Sequence, residues 1–363
     1  MAHAQEPRQV PRPMGSIARS VQRLHPGYFA FVMATGIIST GTDLLGPDWL
    51  SQALLAIGAA GFVLLSLALV LRVLFFRSAV VADLRAPERV FGFFTVVAGM
   101  NVLGVRLAIS GHPLLTAILA GVAAVIWLIL TYGVPATLVL LRDSDSVVRG
   151  VNGSWLVWVV ATQSVSTAAS SLITAWPSSA ATFEPIAVAL WGIGLVLYLV
   201  LIVLIVFRWL SIVVTPAELG PPYWILMGAT AITVLAAARI LATPHNLPVY
   251  RATAGFIEGA TFVLWAFGTW WVPFLIVLGL WRHVGRHWSI AYEPTLWSMV
   301  FPLGMYSVAT LSFGKVTGIS FMKPVSQFMI WVAVVVWALV ALSFIVRVLT
   351  PHETTTTLAH HHP

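Results

Sequence analysis

Polar and apolar positions in this chain alternate in blocks of about twenty residues, not turn by turn. Ten apolar runs can be drawn, at roughly 27–45, 53–76, 90–111, 114–141, 154–174, 186–207, 222–243, 255–281, 294–315 and 326–347. A helix needs about 20 apolar residues to cross a hydrocarbon layer of about 30 Å. Only helices and closed barrels satisfy every backbone group in lipid, and these runs are too long for barrel strands of about 10 residues. The pattern predicts an all-α integral membrane protein with ten transmembrane helices. It divides the chain into an N-terminal tail over 1–24, a ten-helix domain over 25–349 and a C-terminal tail over 350–363.

The runs fall into two alternating classes. Odd-numbered runs open on an aromatic (Phe29, Phe91, Trp155, Trp224 and Trp297), at spacings of 62, 64, 69 and 73. Even-numbered runs close on Arg72, Arg142, Arg208, Arg282 and Arg347, at spacings of 70, 66, 74 and 65. Two interleaved series of five suggest five copies of one helical hairpin, although interfacial aromatics and basic helix ends recur in many polytopic proteins. The even runs are almost wholly apolar: 186–207 contains no charged residue and no Ser, Thr, Asn or Gln. The odd runs carry Thr35, Ser39 and Thr42 in the first, Asn101 in the third, and Thr162, Gln163, Ser166 and Thr167 in the fifth. Thr230 in the seventh and Ser307 and Ser312 in the ninth complete the set. Such residues can glue helices together or line a conduit. Their restriction to odd runs favours odd helices inside, around a central pore, with even helices outside.

Composition agrees with this reading. The chain is 59% hydrophobic and 9% charged, with mean hydropathy +0.95, against about 25% charged in soluble domains. That excludes a soluble enzyme and a nucleic-acid-binding domain. The net charge of +7 is spread over connections, so no nucleic-acid partner is implied. With the N-terminus inside, 14 of the 19 Lys and Arg residues fall on the cytoplasmic side, which predicts both termini there. The chain has no cysteine, so thiolate metal sites and a cysteine nucleophile are ruled out. No nucleotide-binding or nucleophile-elbow motif is present, and no cofactor is called for.

Ionisable residues inside a membrane default to functional hypotheses. Arg106, Arg239 and Lys315 lie near the predicted outer ends of odd helices, where gathered cations would attract anions. Snorkelling to lipid phosphate, or pairing with Glu258, is the structural alternative. Glu258 reads as the carboxylate set well within a span, either a proton carrier or an ion-pair partner. His283 and His287 are four apart, a metal-ligand spacing. No carboxylate or cysteine stands near them in sequence, so they read as interfacial basic residues. His360, His361 and His362 read as a tail. The Asn152-Gly153-Ser154 sequon falls on the predicted cytoplasmic side and is discounted.

A resemblance becomes specific at His25-Pro26-Gly27-Tyr28-Phe29-Ala30-Phe31-Val32-Met33-Ala34-Thr35-Gly36. This stretch resembles the first-helix signature of the tellurite-resistance/dicarboxylate transporter family, which includes plant slow anion channels, fungal malate permeases and sulfite exporters. Blocks starting at Gly153, Pro221 and Trp297 are similar to its bacterial branch. The resemblance implies five hairpins around a pore, a homotrimer in the cell membrane, and an occluding phenylalanine in a Phe-Pro context on the ninth helix. In this chain that context is Phe301-Pro302. Small inorganic or organic anions are the implied cargo. A channel-like conduit, a proton-coupled C4-dicarboxylate (malate) carrier and a sulfite carrier all stay open. An intramembrane metal-dependent enzyme is the alternative of another class.

Overall fold

The computed structural model describes residues 15–140, 147–243 and 247–350. Among these residues there is no strand. Ten long helices cross the molecule: α1 (Ala30–Leu45), α2 (Asp48–Phe75), α3 (Phe94–Ile109), α4 (Pro113–Leu140), α5 (Val157–Ala175), α6 (Ala180–Ser211), α7 (Ile225–Ala242), α8 (Pro248–Leu280), α9 (Trp297–Thr317) and α10 (Met322–Leu349). Counted with the short turn that leads into it where there is one, each is long and apolar enough to span a membrane. Arg8, Arg12, Arg142 and the C-terminal histidines lie outside the described residues.

Polarity sorts the helices into two layers. In the apolar stretch of each odd helix, 72 to 94% of residues are buried, against 11 to 39% in the even helices. The odd helices pack side by side in the order α1, α3, α5, α7, α9 and back to α1, which closes a ring. Each even helix packs outside the odd helix that precedes it. The reason is energetic. Leu- and Val-rich faces lose nothing against lipid, whereas hydroxyls and backbone-exposing glycines are better placed against protein.

The repeat also appears in the local backbone. Every inner helix is entered through a single 3-10 turn: Pro26–Phe29, Val90–Phe93, Gly153–Leu156, Pro221–Trp224 and Pro294–Leu296. The aromatics that open the odd runs sit in or directly after these turns. Three turns begin with proline, which has no N–H to lose at a helix start. The turns crowd together at one end of the ring. Gly153 lies so close to the backbone of Pro222 that a Cβ there would overlap its carbonyl.

Arginines at the ends of the even helices do more than anchor loops. Arg72 Nη2 pairs with Asp83 at 2.7 Å, Arg208 with Glu218 at 2.8 Å and Arg282 with Glu293 at 3.2 Å. All three arginines are buried. Each acid lies in the connection leading to the next inner helix, so the pair fastens one hairpin to the next. The Glu218 carboxyl is held below its usual range, chiefly by the Thr215 backbone N–H and with a contribution from Arg208.

Candidate functional site

Three small cavities follow the axis of the ring, and all five hairpins contribute to each. The first, at the arginine-rich end, is walled by His25, Glu88, Ser154, Pro222 and Thr295, among others, with a volume of about 40 Å³. The second, about 10 Å³, is walled by Met33, Thr95, Val160, Ile225 and Phe301. The third, about 20 Å³, takes Thr40 from α1, Asn101 from α3, Ser164 and Thr167 from α5, Arg239 from α7 and Met305 from α9. Along every inner helix these residues occur in the same order, so the cavities form one column.

The first two cavities share Thr95, Val157, Ile225 and Ser298. The second and third share no wall residue. The Phe301 ring, 1% exposed, stands at that break, and Met305, one turn further along α9, belongs to the third cavity. A single water needs about 10–15 Å³, so the second and third cavities have room for about one each. The column is closed in this structure.

Pro302 does not break α9, which runs unbroken from Trp297 to Thr317. Instead its ring packs on Gly228 of α7. A Cβ at Gly228 would lie 2.7 Å from the Pro302 Cγ, so glycine there lets the two helices approach beside the Phe301 level.

The electrostatics of the column are uneven. Arg239 lines the third cavity without a hydrogen bond or ion pair among the described residues, and its Nε is buried. Beside it Asn101 Nδ2 donates to Ser164 Oγ at 2.9 Å. At the opposite end burial, aided by Arg89, lowers the His25 imidazole to about 4. The neutral ring accepts the Gly27 N–H on Nδ1 at 3.0 Å.

A family model described as voltage-dependent anion channel matches residues 23–345 of the chain. The chain belongs to this anion-channel family. Two relatives cover nearly its whole length, both uncharacterized transporters of Methanocaldococcus jannaschii. One is 23% identical over 88% of this chain and 92% of its own length, the other 22% over 90% and 96%. An uncharacterized membrane protein of Mycobacterium tuberculosis is 43% identical over 39% of this chain and 72% of its own length.

The ring of this family member uses most of its predicted polar residues to hold helices together. Ser39 Oγ donates to the Ser51 carbonyl of α2 and Ser51 Oγ returns the bond to Ser39, both at 2.8 Å. Ser307 on α9 and Ser326 on α10 repeat the exchange at 2.8 and 2.7 Å. Ser166 donates to the Ala187 carbonyl at 2.7 Å and Gln163 to the Trp191 carbonyl at 3.0 Å, both on α6. Thr162 and Thr35 accept indole N–H bonds from Trp127 on α4 and Trp337 on α10, at 2.9 and 3.0 Å. Thr42 and Thr230 donate to carbonyls of their own helices. Ser312 is half-buried near the end of α9. Of the predicted lining set, Asn101 and Thr167 wall the third cavity.

The predicted cations part company. Arg106 is 1% exposed and paired with Asp43 of α1 at 2.7 Å. It also donates to Ser39, Ser51 and Ser110. The pairing with Glu258 envisaged from the sequence does not form. Lys315 is exposed at the end of α9, and Glu258 is exposed on α8, away from the ring. Thr40 and Ser164, polar residues of α1 and α5 that the predicted lining set leaves out, wall the third cavity. A signal was available in the repeat. Consecutive helix positions point about 100° apart, so the residue after each serine bonded to the following outer helix turns to the axis. Thr40 follows Ser39, Thr167 follows Ser166 and Val308 follows Ser307. His283 sits in the π-turn Trp281–Gly285, while His287 lies beyond it with φ 52°. The helical spacing that would pair them is therefore not realised, and no metal cluster occurs among the described residues.

Proposed function

We propose that the column is an anion conduit with Phe301 as its constriction and Arg239 as the cation that meets the anion on the outer side. What carries this reading is the Phe301 ring at the break between two five-helix cavities, with the half-buried Arg239, unpaired among the described residues, in the adjoining one. The hydroxyls and amide beside Arg239 offer hydrogen bonds without a second full charge. Binding then stays weak enough for release, as conduction requires. Arg106 is structural in this reading, because Asp43 cancels its charge, and Lys315 only adds to the field at the mouth. Residues 25–349 form the conducting domain, with both termini cytoplasmic, in the cell membrane and as a homotrimer. The family and its transporter relatives point away from an enzyme. A proton-coupled carrier working through Glu258 has less support, since that carboxylate faces away from the column.

The test is anion efflux from proteoliposomes, with chloride, nitrate, sulfite and malate as separate arms. Phe301→Ala is expected to raise basal flux at unchanged protein yield, and Phe301→Leu to raise it less. If the ring were only core, truncation would cost about 3–5 kcal/mol and reduce assembled protein without raising flux. Phe328, exposed on α10, is the control whose replacement by Ala leaves flux unchanged.

A further inference from the structure

The third cavity on the ring axis is rich in hydrogen-bond acceptors. Its polar side chains are Thr40, Asn101, Ser164, Thr167 and Arg239. The three hydroxyls spend their protons on carbonyls of their own helices. Thr40 donates to Gly36 at 3.1 Å, Ser164 to Ala161 at 2.7 Å and Thr167 to Gln163 at 2.9 Å. A hydroxyl has one proton to give, so what these residues have left is lone pairs.

Asn101 adds a stronger acceptor. The residue is 2% exposed. Its Nδ2 donates to Ser164 Oγ at 2.9 Å, while its buried Oδ1 has no hydrogen-bond partner among the described residues. Because the Ser164 proton is used on Ala161, Ser164 accepts from Asn101. That fixes which end of the amide carries the nitrogen. A buried amide oxygen without a donor is costly, and the cavity is the side from which a donor can reach it. Arg239 is the cationic donor of the same wall, and the other wall residues are apolar.

A cation set beside acceptors suits one kind of anion. One of its oxygens must accept from the guanidinium, and another must still hold a proton to give. A bare anion such as nitrate satisfies Arg239 but sets its charge against Asn101 Oδ1. We propose that Asn101 is a specificity-determining residue which, with Arg239, selects oxyanions that retain a proton, such as hydrogen carbonate. In the bound state an anion oxygen accepts from Arg239 and the anion O–H donates to Asn101 Oδ1. This assignment rests on the conduit reading above, since the cavity of about 20 Å³ must widen as the column opens before the anion enters.

Hydrogen carbonate and nitrate test it, because both are planar monoanions with three oxygens on one central atom and they differ in the O–H. Reversal potentials in planar bilayers, with one anion on each side of the full chain, read their permeability ratio without interference from uncharged carbon dioxide. Wild type and the Phe301→Ala background are both measured. Nitrate sheds its water more readily, so a conduit lacking a selecting acceptor passes nitrate first. The expected ratio favours hydrogen carbonate. Asn101→Leu keeps the bulk and removes the acceptor, so it should lower the ratio about fivefold, the equivalent of about 1 kcal/mol for one hydrogen bond. Asn101→Ser, whose hydroxyl can give or accept, should lower it less, and it decides the matter where the leucine variant fails to assemble. A ratio in favour of nitrate, or one unchanged in the Asn101 variants that assemble, overturns the assignment and leaves the conduit standing. No current with either anion brings down the conduit reading and this assignment with it.

Discussion

Arg106 and Arg239 occupy matching places in the repeat, fifteen residues after Phe91 and Trp224 respectively, yet they live in opposite surroundings. Arg106 is enclosed by α1, α2 and the end of α3, with Asp43 and three serine hydroxyls on its guanidinium. Arg239 faces a cavity on the ring axis and meets no carboxylate among the described residues. The same residue type at the same depth thus meets two settings, decided by whether a neighbouring helix brings an acid. A cancelled charge fastens helices, and in the conduit proposed above an uncancelled one would be available to a mobile anion.

The largest expected effect comes from breaking the enclosed pair. Arg106→Gln leaves Asp43 without its partner. Such losses cost about 3–5 kcal/mol, and the partial exposure of Asp43 puts this one near the lower end. Thermal unfolding in detergent should show a lower midpoint, and yield should fall. Adding Asp43→Asn should restore much of the loss, because removing both charges of a buried pair is often nearly neutral. A double variant no better than the single one would break the comparison from the Arg106 side.

Arg239→Gln should do the reverse. Folding should be unchanged, since no partner is left behind, while anion efflux at low salt falls roughly tenfold, the lower edge of what field focusing supplies. The deficit should shrink as salt rises, because screening acts over about 8 Å at physiological ionic strength. A stability loss as large as that of Arg106→Gln, with flux preserved per folded molecule, would return Arg239 to a structural role.

The two layers were legible in the sequence because lipid and protein reject different side chains. Runs such as 186–207 have no group that needs protein, so they went outside. The alternation of the two classes was legible too, from the aromatics Phe29 to Trp297 and the arginines Arg72 to Arg347. The direction of individual hydroxyls was not. An inner helix has two polar-tolerant faces, one toward the axis and one toward its outer partner, and periodicity alone does not tell them apart. The partner of Arg106 was hidden for a related reason. Asp43 reaches it from a helix 63 positions away, so nothing local marked the pair. The Arg72, Arg208 and Arg282 clasps were hidden as well, because their acids lie beyond a turn of chain that only the fold brings back.

The finest form of the comparison uses two adjacent residues, Ser39 and Thr40. Ser39 looks outward: it exchanges bonds with Ser51 and accepts the Arg106 Nε–H at 3.0 Å. Thr40 looks to the axis, and its hydroxyl is satisfied within its own helix by the Gly36 carbonyl at 3.1 Å. Interhelical hydrogen bonds in membranes average about 0.6 kcal/mol and reach about 1.7. Ser39→Ala should therefore cost about 1–2 kcal/mol, seen as a lower unfolding midpoint, with flux per folded molecule unchanged. Thr40→Ala removes no bond between helices, so the midpoint should hold. What it alters is the cavity wall next to Arg239, so flux or the order of preference among anions should shift two- to threefold, a change of about 0.5 kcal/mol. If the two substitutions instead behave alike, either both destabilising or both altering flux, then neighbours on α1 do not divide between gluing and lining. The repeat rule that assigns Thr167 and Val308 to the axis would fall with them.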